Sequence, residues 1–266
     1  MDGFQIDENY MWPKGCLCHA CCERFRRETG WEIPLNECSA HWGDIYTPFY
    51  RLFRDWRNVV CVDFLIGLRR QVKDLNDHLV LSAYPTWGGF ISESCNVLGQ
   101  DMGELMRVVN FFGLEMMSRS FLRNVRCELP ALHAMKTHGE LCGAPVWNWY
   151  YNFDWQNDYA AWSVSMLAGC VPMLSRVAHP AGTPDYVSET GKYVARLGES
   201  VPLAEIGVYF STRTRDAKDG VENWKERVFP AMEMMDELNI PYAVVPDFNV
   251  SDERIKDYKV VCFPVY

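Results

Sequence analysis

Short apolar strands alternate with amphipathic stretches along nearly the whole chain, and this rhythm limits the possible folds more than any other feature. Phe4 to Asp7 reads as a strand, Cys21 to Thr29 as a helix closed by Gly30, and Pro48 to Leu75 as a long helix ended by Asn76-Asp77. Leu79 to Ala83 is the next strand, stopped by Tyr84-Pro85, and a Gly- and Ser-rich loop runs from Gly88 to Gly103. Strand Val108 to Phe112, helix Pro130 to His138, strand Pro145 to Trp149, helix Tyr159 to Ala168 and strand Cys170 to Leu174 continue the pattern. Strands separated by helices form parallel sheets, because the crossover helix returns the chain to the same end.

About five such strands precede residue 178, whereas a closed (β/α) barrel takes eight. The expected fold is therefore α/β: the C-terminal part of a TIM (β/α) barrel, roughly its strands four to eight, over residues 1–180, with the earlier units expected upstream of Met1. His179 to Pro184 reads as a linker, and the rhythm then restarts over residues 181–266. Ile206 to Phe210 is a strand, while Trp224, Val228, Ala231, Met235 and Leu238 recur at helical spacing. Tyr242 to Val245 and Lys259 to Phe263 add two strands, as at the start of a flavodoxin-like domain whose remainder is expected beyond Tyr266. No Gly-rich phosphate loop follows Phe210, which argues against a nucleotide there.

With 35 acidic against 26 basic residues the net charge is -9, the wrong sign for a partner recognised through its phosphates. No basic segment and apolar run open the chain, and no stretch of about 18 apolar residues occurs, so a soluble cytoplasmic protein without membrane contact is expected. Eleven cysteines form an odd set in a chain too long to need disulfide staples, which favours reduced thiols and a metal site. Cys16, Cys18 and Cys21 make a C-x-C-x-x-C cluster on a loop opened by Pro13 and Gly15, ahead of a helix. Three thiolates at this spacing can wrap one face of a structural Zn²⁺. Cys38 and His41 are local candidates for the fourth ligand, and the upstream segment is another; Cys22, on the apolar face with Phe25, is expected to pack.

Chemistry in a (β/α) barrel sits at the C-terminal ends of the strands, which narrows the carboxylates to a few. Alternation puts Asp7 on the same side as Gln5 and opposite Phe4 and Ile6, and Glu8 opens the following loop. Glu115 follows the strand at Val108 to Phe112, and Asp154 follows the strand at Pro145 to Trp149. Glycoside hydrolysis uses two carboxyl groups flanking the scissile bond, and these four are the candidates. Asp154 and Glu115 are equally well read as helix-terminal or solvated loop charges. Trp147, Asn148, Trp149, Tyr84 and Asn110 are candidate sugar contacts, since indole and phenol faces stack on sugar rings.

The runs D-G-F-Q-I-D-E, G-C-L-C-H-A-C and C-E-R-F-R-R-E-T-G resemble the fourth strand and zinc loop of the trimeric β-galactosidase family and of related glycosyl-hydrolase-like proteins, as does V-V-N-F-F-G at Val108 to Gly113. I-G-V-Y-F-S at Ile206 to Ser211 and I-P-Y-A-V-V-P-D at Ile240 to Asp247 resemble that family's trimerisation domain. The resemblance implies Glu8 as acid/base, Asp7 in the place of the family's Asn, a zinc ligand upstream of this chain, and a homotrimer. It also implies a nucleophilic Glu on the strand Pro145 to Trp149, where this sequence has no acid. Three readings follow: a hydrolase acting on a glycosidic bond, a carbohydrate-binding protein on the same fold without turnover, and an assembly protein acting through the second domain.

Overall fold

The computed structural model describes residues 2–11, 15–35, 42, 44, 46–84, 94–116, 121–150, 154–172, 203–218, 225–247, 250 and 253–264. Five strands, β1 (Gly3–Asp7), β2 (Val80–Tyr84), β3 (Phe111–Met116), β4 (Val146–Tyr150) and β5 (Val171–Pro172), form one sheet in sequential order. Every neighbouring pair is parallel. Sequential parallel order with intervening helices is the arrangement of consecutive units in a (β/α) barrel. Three further strands, β6 (Ile206–Phe210), β7 (Tyr242–Pro246) and β8 (Val260–Cys262), form a second parallel sheet in the order β7-β6-β8, the opening order of a flavodoxin-like layer. The chain is thus α/β throughout; the expected boundary at residues 180 and 181 falls outside the described residues.

The α-helices among the described residues are α1 (His19–Thr29), α2 (Pro48–Leu75), α3 (Met102–Val108), α4 (Phe121–Cys142), α5 (Trp155–Leu167), α6 (Thr212–Lys218) and α7 (Lys225–Glu237). Local sequence sets their ends. Thr47 caps α2, its hydroxyl accepting from the Tyr50 N–H at 3.2 Å, with Pro48 in the first turn. Gly30 ends α1 in the left-handed conformation, its N–H bonded to the Arg26 carbonyl at 2.9 Å. Phe49, Phe53 and Trp56 of α2 and Phe25 of α1 form an aromatic cluster, Phe25 meeting the other three edge-on.

Three expectations shift. The segment Met102–Val108 is helical, capped by Asp101, so the strand expected from Val108 begins at Phe111 instead. The helix expected from Pro130 starts nine residues earlier, at Phe121, and carries the proline inside it. On α7 the buried face is Val228, Phe229, Met232 and Met235, while Leu238 is exposed and lies beyond the helix.

One apolar core runs through both sheets: Leu81, Phe112, Leu114 and Val146 belong to the same cluster as Val208, Phe210, Met232 and Val244. Helix α4 joins them, its His133 ring edge-on to Tyr242 at 5.4 Å and its buried His138 edge-on to Phe210 at 5.7 Å. Among the described residues no helix is long and apolar enough to cross a membrane.

Candidate functional site

Paired residues of a parallel ladder share a face, so register assigns each strand residue to one side of the first sheet. Leu81, Ala83, Phe112 and Leu114 are fully buried in the core, and Phe4 and Ile6 pair with Leu81 and Ala83, which puts them toward the helices as alternation requires. The opposite face carries Gln5 and Asp7 of β1, Ser82 and Tyr84 of β2, Gly113 and Glu115 of β3, and Trp147 and Trp149 of β4. Asp7 pairs with Tyr84, Gly113 with Trp147, and Glu115 with Trp149. Glu115 is thus a strand residue rather than a loop residue, because β3 starts and ends later than the sequence suggested.

At the C-terminal end of β1 the chain leaves the sheet sharply. Glu8 adopts φ of 50°, a left-handed conformation uncommon for a non-glycine residue, while its N–H still donates to the Tyr84 carbonyl at 2.7 Å. Asp7 and Glu8 are both exposed. Asn9 follows with both side-chain amide atoms buried and without a partner among the described residues, and its carbonyl accepts from Gln100 Nε2 at 3.1 Å.

Tyr84 is 1% exposed, its hydroxyl donating to the Leu114 carbonyl at 3.2 Å. Both indoles stand edge-on to its ring, Trp147 at 5.3 Å and Trp149 at 6.2 Å. Tyr84 therefore supports the two half-buried tryptophans from below instead of offering its own face to a sugar. Gly113 makes this packing possible: a Cβ there would lie 2.3 Å from the Tyr84 ring and 2.8 Å from Trp147 Nε1. Trp147 Nε1 and Ser82 Oγ are buried on this face with no hydrogen-bond partner among the described residues. Alternation back from Tyr84 points to Ser82, and alternation from Glu115 to Gly113, although neither brings a charge or a ring.

Three candidates fall elsewhere. Asn110 lies ahead of β3, at the opposite end of the sheet, where its Oδ1 accepts from the Leu81 N–H at 3.0 Å. Asn148 faces the helices, fully buried, with Nδ2 donating to Ser165 Oγ on α5 at 2.9 Å. Asp154 caps α5: Oδ1 accepts from the Asn157 N–H at 2.8 Å and Oδ2 from Asn157 Nδ2 at 2.7 Å. Those hydrogen bonds, the backbone one first, hold its carboxyl below the usual carboxylate range, the state of a structural cap.

The loop beyond Asn9 is tied to α2. Met11 N–H donates to the Leu98 carbonyl at 2.8 Å, and the fully buried Arg57 donates from Nη1 to the Met11 carbonyl at 3.1 Å and from Nη2 to the Asn96 carbonyl. Gly15, with φ of 65°, lets the backbone approach α2 where a Cβ would sit 2.9 Å from the Phe53 ring. This delivers Cys16 and Cys18 to the start of α1. The sulfurs of Cys16, Cys18 and Cys21 all lie within 4.8 Å of one another. A tetrahedral zinc with Zn–S of about 2.3 Å separates its sulfurs by roughly 3.8 Å, so the cluster fits a metal after slight closure.

Cys18 stands at the helix N-cap, where the Cys21 N–H and the neighbouring thiols pull its pKa down to about 7. Cys21 is pushed up to about 12, first by burial and then by Cys16 and Cys18. Cys22 packs, as expected, with Sγ donating to the Leu17 carbonyl at 3.6 Å. Cys38 and His41, the local candidates for a fourth ligand, lie outside the described residues.

No protein-family model matches the sequence, and no curated protein matches it either. Solved structures share its fold, two of them glycoside hydrolase structures. One is the PgaB (BpsB) glycoside hydrolase domain from Bordetella bronchiseptica, with a TM-score of 0.51 and 12% identity over 75% of this chain and 56% of that one. The other is a GH5_18 from Bifidobacterium longum subsp. infantis, with a TM-score of 0.51 and 9% identity over 77% of this chain and 59% of that one. The chain spans somewhat more than half the length of each. Identities this low speak for the fold alone, and by fold the chain is a TIM-barrel-like α/β protein.

Proposed function

We propose that this chain is the site-bearing part of a glycoside hydrolase that cleaves an O-glycosidic bond with two carboxyl groups, Glu8 as acid/base and Glu115 as the second carboxylate. The observation that carries this reading is the register that puts Asp7 and Glu115 on the same face, at the C-terminal ends of strands two apart. At about 4.8 Å between strands and about 3.3 Å per residue, Glu115, two strands across and two residues further along, stands roughly 12 Å from Asp7 between backbones. Carboxyl groups brought from that spacing to roughly 5 to 9.5 Å would have the separation that glycosidases use. Glu8 would protonate the leaving oxygen, and Glu115 would attack the anomeric carbon or activate water. Trp147 and Trp149 supply stacking faces, and Asp7, beside Glu8, a hydrogen-bond acceptor for a sugar hydroxyl.

The same reading takes the cysteine cluster as a structural zinc site that braces the loop after β1, completed by a ligand outside the described residues. It places the chain near the trimeric β-galactosidases, with a homotrimer built through the second sheet. The capping of Asp154 and the lack of an acid on β4 support a second reading, sugar binding without turnover. A panel of aryl glycosides separates the two. Hydrolysis that falls by about 10²–10⁴ in Glu8→Gln and in Glu115→Gln supports the enzyme. Saturable sugar-dependent quenching of tryptophan fluorescence with no turnover selects the binding protein, and neither hydrolysis nor quenching rejects both.

A further inference from the structure

For Glu8 to serve the strand-end face, the backbone has to change direction as it leaves β1. Side chains alternate along a strand, so a residue 8 left in extended conformation would follow Phe4 and Ile6 to the helix side, opposite Asp7. The φ of 50° at Glu8 takes it out of that alternation, and its side chain is exposed at the strand end. A residue with a Cβ adopts this left-handed conformation at a cost, and keeps it where the surroundings fix it.

Hydrogen bonds on both sides of Glu8 fix it here. Its own N–H stays in the sheet, on the Tyr84 carbonyl at 2.7 Å. Beyond the bend, the Asn9 carbonyl accepts from Gln100 Nε2 at 3.1 Å and the Met11 N–H donates to the Leu98 carbonyl at 2.8 Å. Among the described residues Gln100 makes the bond nearest to Glu8 on that side. Gln100 is fully buried and is itself fixed from both ends. Gly99 before it is left-handed, with φ of 66°, and a Cβ there would lie 3.1 Å from Arg57 Cβ. Asp101 after it caps α3, its Oδ1 accepting the Glu104 N–H at 3.1 Å. A neutral amide suits the position: its N–H satisfies the Asn9 carbonyl, whereas a carboxylate of the same shape would turn a buried charge on that oxygen.

We propose, with Glu8 taken as the acid/base as above, that Gln100 is its positioning residue: by holding the Asn9 carbonyl it keeps the left-handed turn in place and the Glu8 carboxyl at the strand-end face. Loss of the Nε2 donor lets the loop relax toward extended backbone, which carries the carboxyl toward the helix side and away from Glu115. The chemical consequence is selective. Proton donation to the leaving oxygen matters most for a poor leaving group and little for one that departs as a stable anion. Displacement of Glu8 therefore weakens cleavage of alkyl glycosides and largely spares dinitrophenyl glycosides, a pattern that general loss of structure does not produce.

Gln100→Met keeps the side-chain volume and removes both N–H donors, and two measurements on it test the proposal. The first is amide hydrogen exchange by NMR: the Glu8 and Met11 amides should exchange about tenfold faster, as loss of one hydrogen bond requires, with Leu81 in β2 unchanged. The second is kcat/KM, which reports cleavage of the glycosidic bond, across leaving groups from methanol to dinitrophenol. It should fall by about 10² for the poor leaving groups and by no more than about threefold for dinitrophenol. In the wild type the side-chain amide protons of Gln100 should exchange slowly, which needs no variant to fold. Rapid exchange of those protons, or unchanged Glu8 and Met11 exchange in Gln100→Met, overturns the proposal and leaves the hydrolase reading standing. An equal loss of kcat/KM for every leaving group also overturns it, since that marks a merely structural role. If the wild type cleaves none of the glycosides the hydrolase reading fails, and exchange alone then decides whether Gln100 holds the turn at Glu8.

Discussion

Replacing Gly113 by alanine tests the strand-end face directly. The added Cβ would lie 2.3 and 2.5 Å from two carbons of the Tyr84 ring and 2.8 Å from Trp147 Nε1. Normal contact requires about 1 Å of movement, and the ring cannot simply swing aside: its hydroxyl is bonded to the Leu114 carbonyl and both indoles abut it. Overpacking of this kind costs about 1–3 kcal/mol. With an m-value of about 3 kcal/mol/M in urea, suited to a chain of this length, the unfolding midpoint should fall by roughly 0.3–1 M. Gly67, inside α2, is the internal control. A Cβ there meets nothing within 4 Å, so Gly67→Ala should raise stability by about 0.5–1 kcal/mol. Urea unfolding followed by tryptophan fluorescence and far-UV circular dichroism reads both. A Gly113→Ala protein as stable as wild type, with unchanged near-UV signal, would refute the packing described for Tyr84 and Trp147.

Asp154→Ala should lower the unfolding midpoint at neutral pH, whereas Asp154→Asn should largely retain it; the cap's contribution, present above the ordinary carboxylate pKa, is lost as pH falls through the depressed folded value. Burial lowers His133 and His138 from 6.5 to about 4, so the unfolded chain binds these protons first and stability falls, as pH drops from about 6.5 toward 4, by about 1.4 kcal/mol per pH unit for each. Burial raises Asp236 from 3.8 to about 6, which offsets roughly one histidine below pH 6, so Asp236→Asn should steepen the acid loss seen in denaturation at graded pH. Metal analysis should find about one zinc per chain, reduced in Cys16→Ser, and a chelator should lower the melting temperature of the wild type but not of that variant.

Strand identity was legible where apolar runs were short and bounded by turn residues: β6 was placed to the residue, and β1, β2 and β4 to within one. The error at β3 has a physical origin. Val108, Val109, Phe111 and Phe112 form an apolar run on both sides of Asn110, and periodicity cannot divide it between a helix end and a strand start. Asp101, which caps α3 with Glu104 three residues on, was the local sign of a helix there. That shift moved Asn110 to the wrong end of the sheet, while Asn148 needed only parity: sharing a face with Leu114, it could not share one with Trp147 and Trp149. The cysteine cluster was legible from spacing alone, because three ligands within six residues need no tertiary contact to converge. Alternation reaches Ser82 and Gly113, but what distinguishes Gly113 is the ring opposite it across the sheet, and Asn9, in the loop after β1, is distinguished by its burial, which has no local signal.

The two sheets were read as separate layers, yet the candidate site depends on both through α4. The helix precedes β4, which carries both tryptophans, and its residues Ala131, Leu132 and Met135 are buried in the common core. It also touches the second sheet, through His133 on Tyr242 and His138 on Phe210. A second tie runs from Arg54 on α2 and Asn96 in the following turn to the Asp216 carbonyl on α6. The same turn gives its Asn96 carbonyl to Arg57, which also holds the Met11 carbonyl just beyond Glu8. Displacement of the second sheet would therefore reach the strand-end face by two routes, through the helix behind Trp147 and through the arginine that fixes the loop after β1. The sequence-distant half of the chain thus acts on the site as packing that holds its backbone in register, and supplies none of its candidate chemical groups.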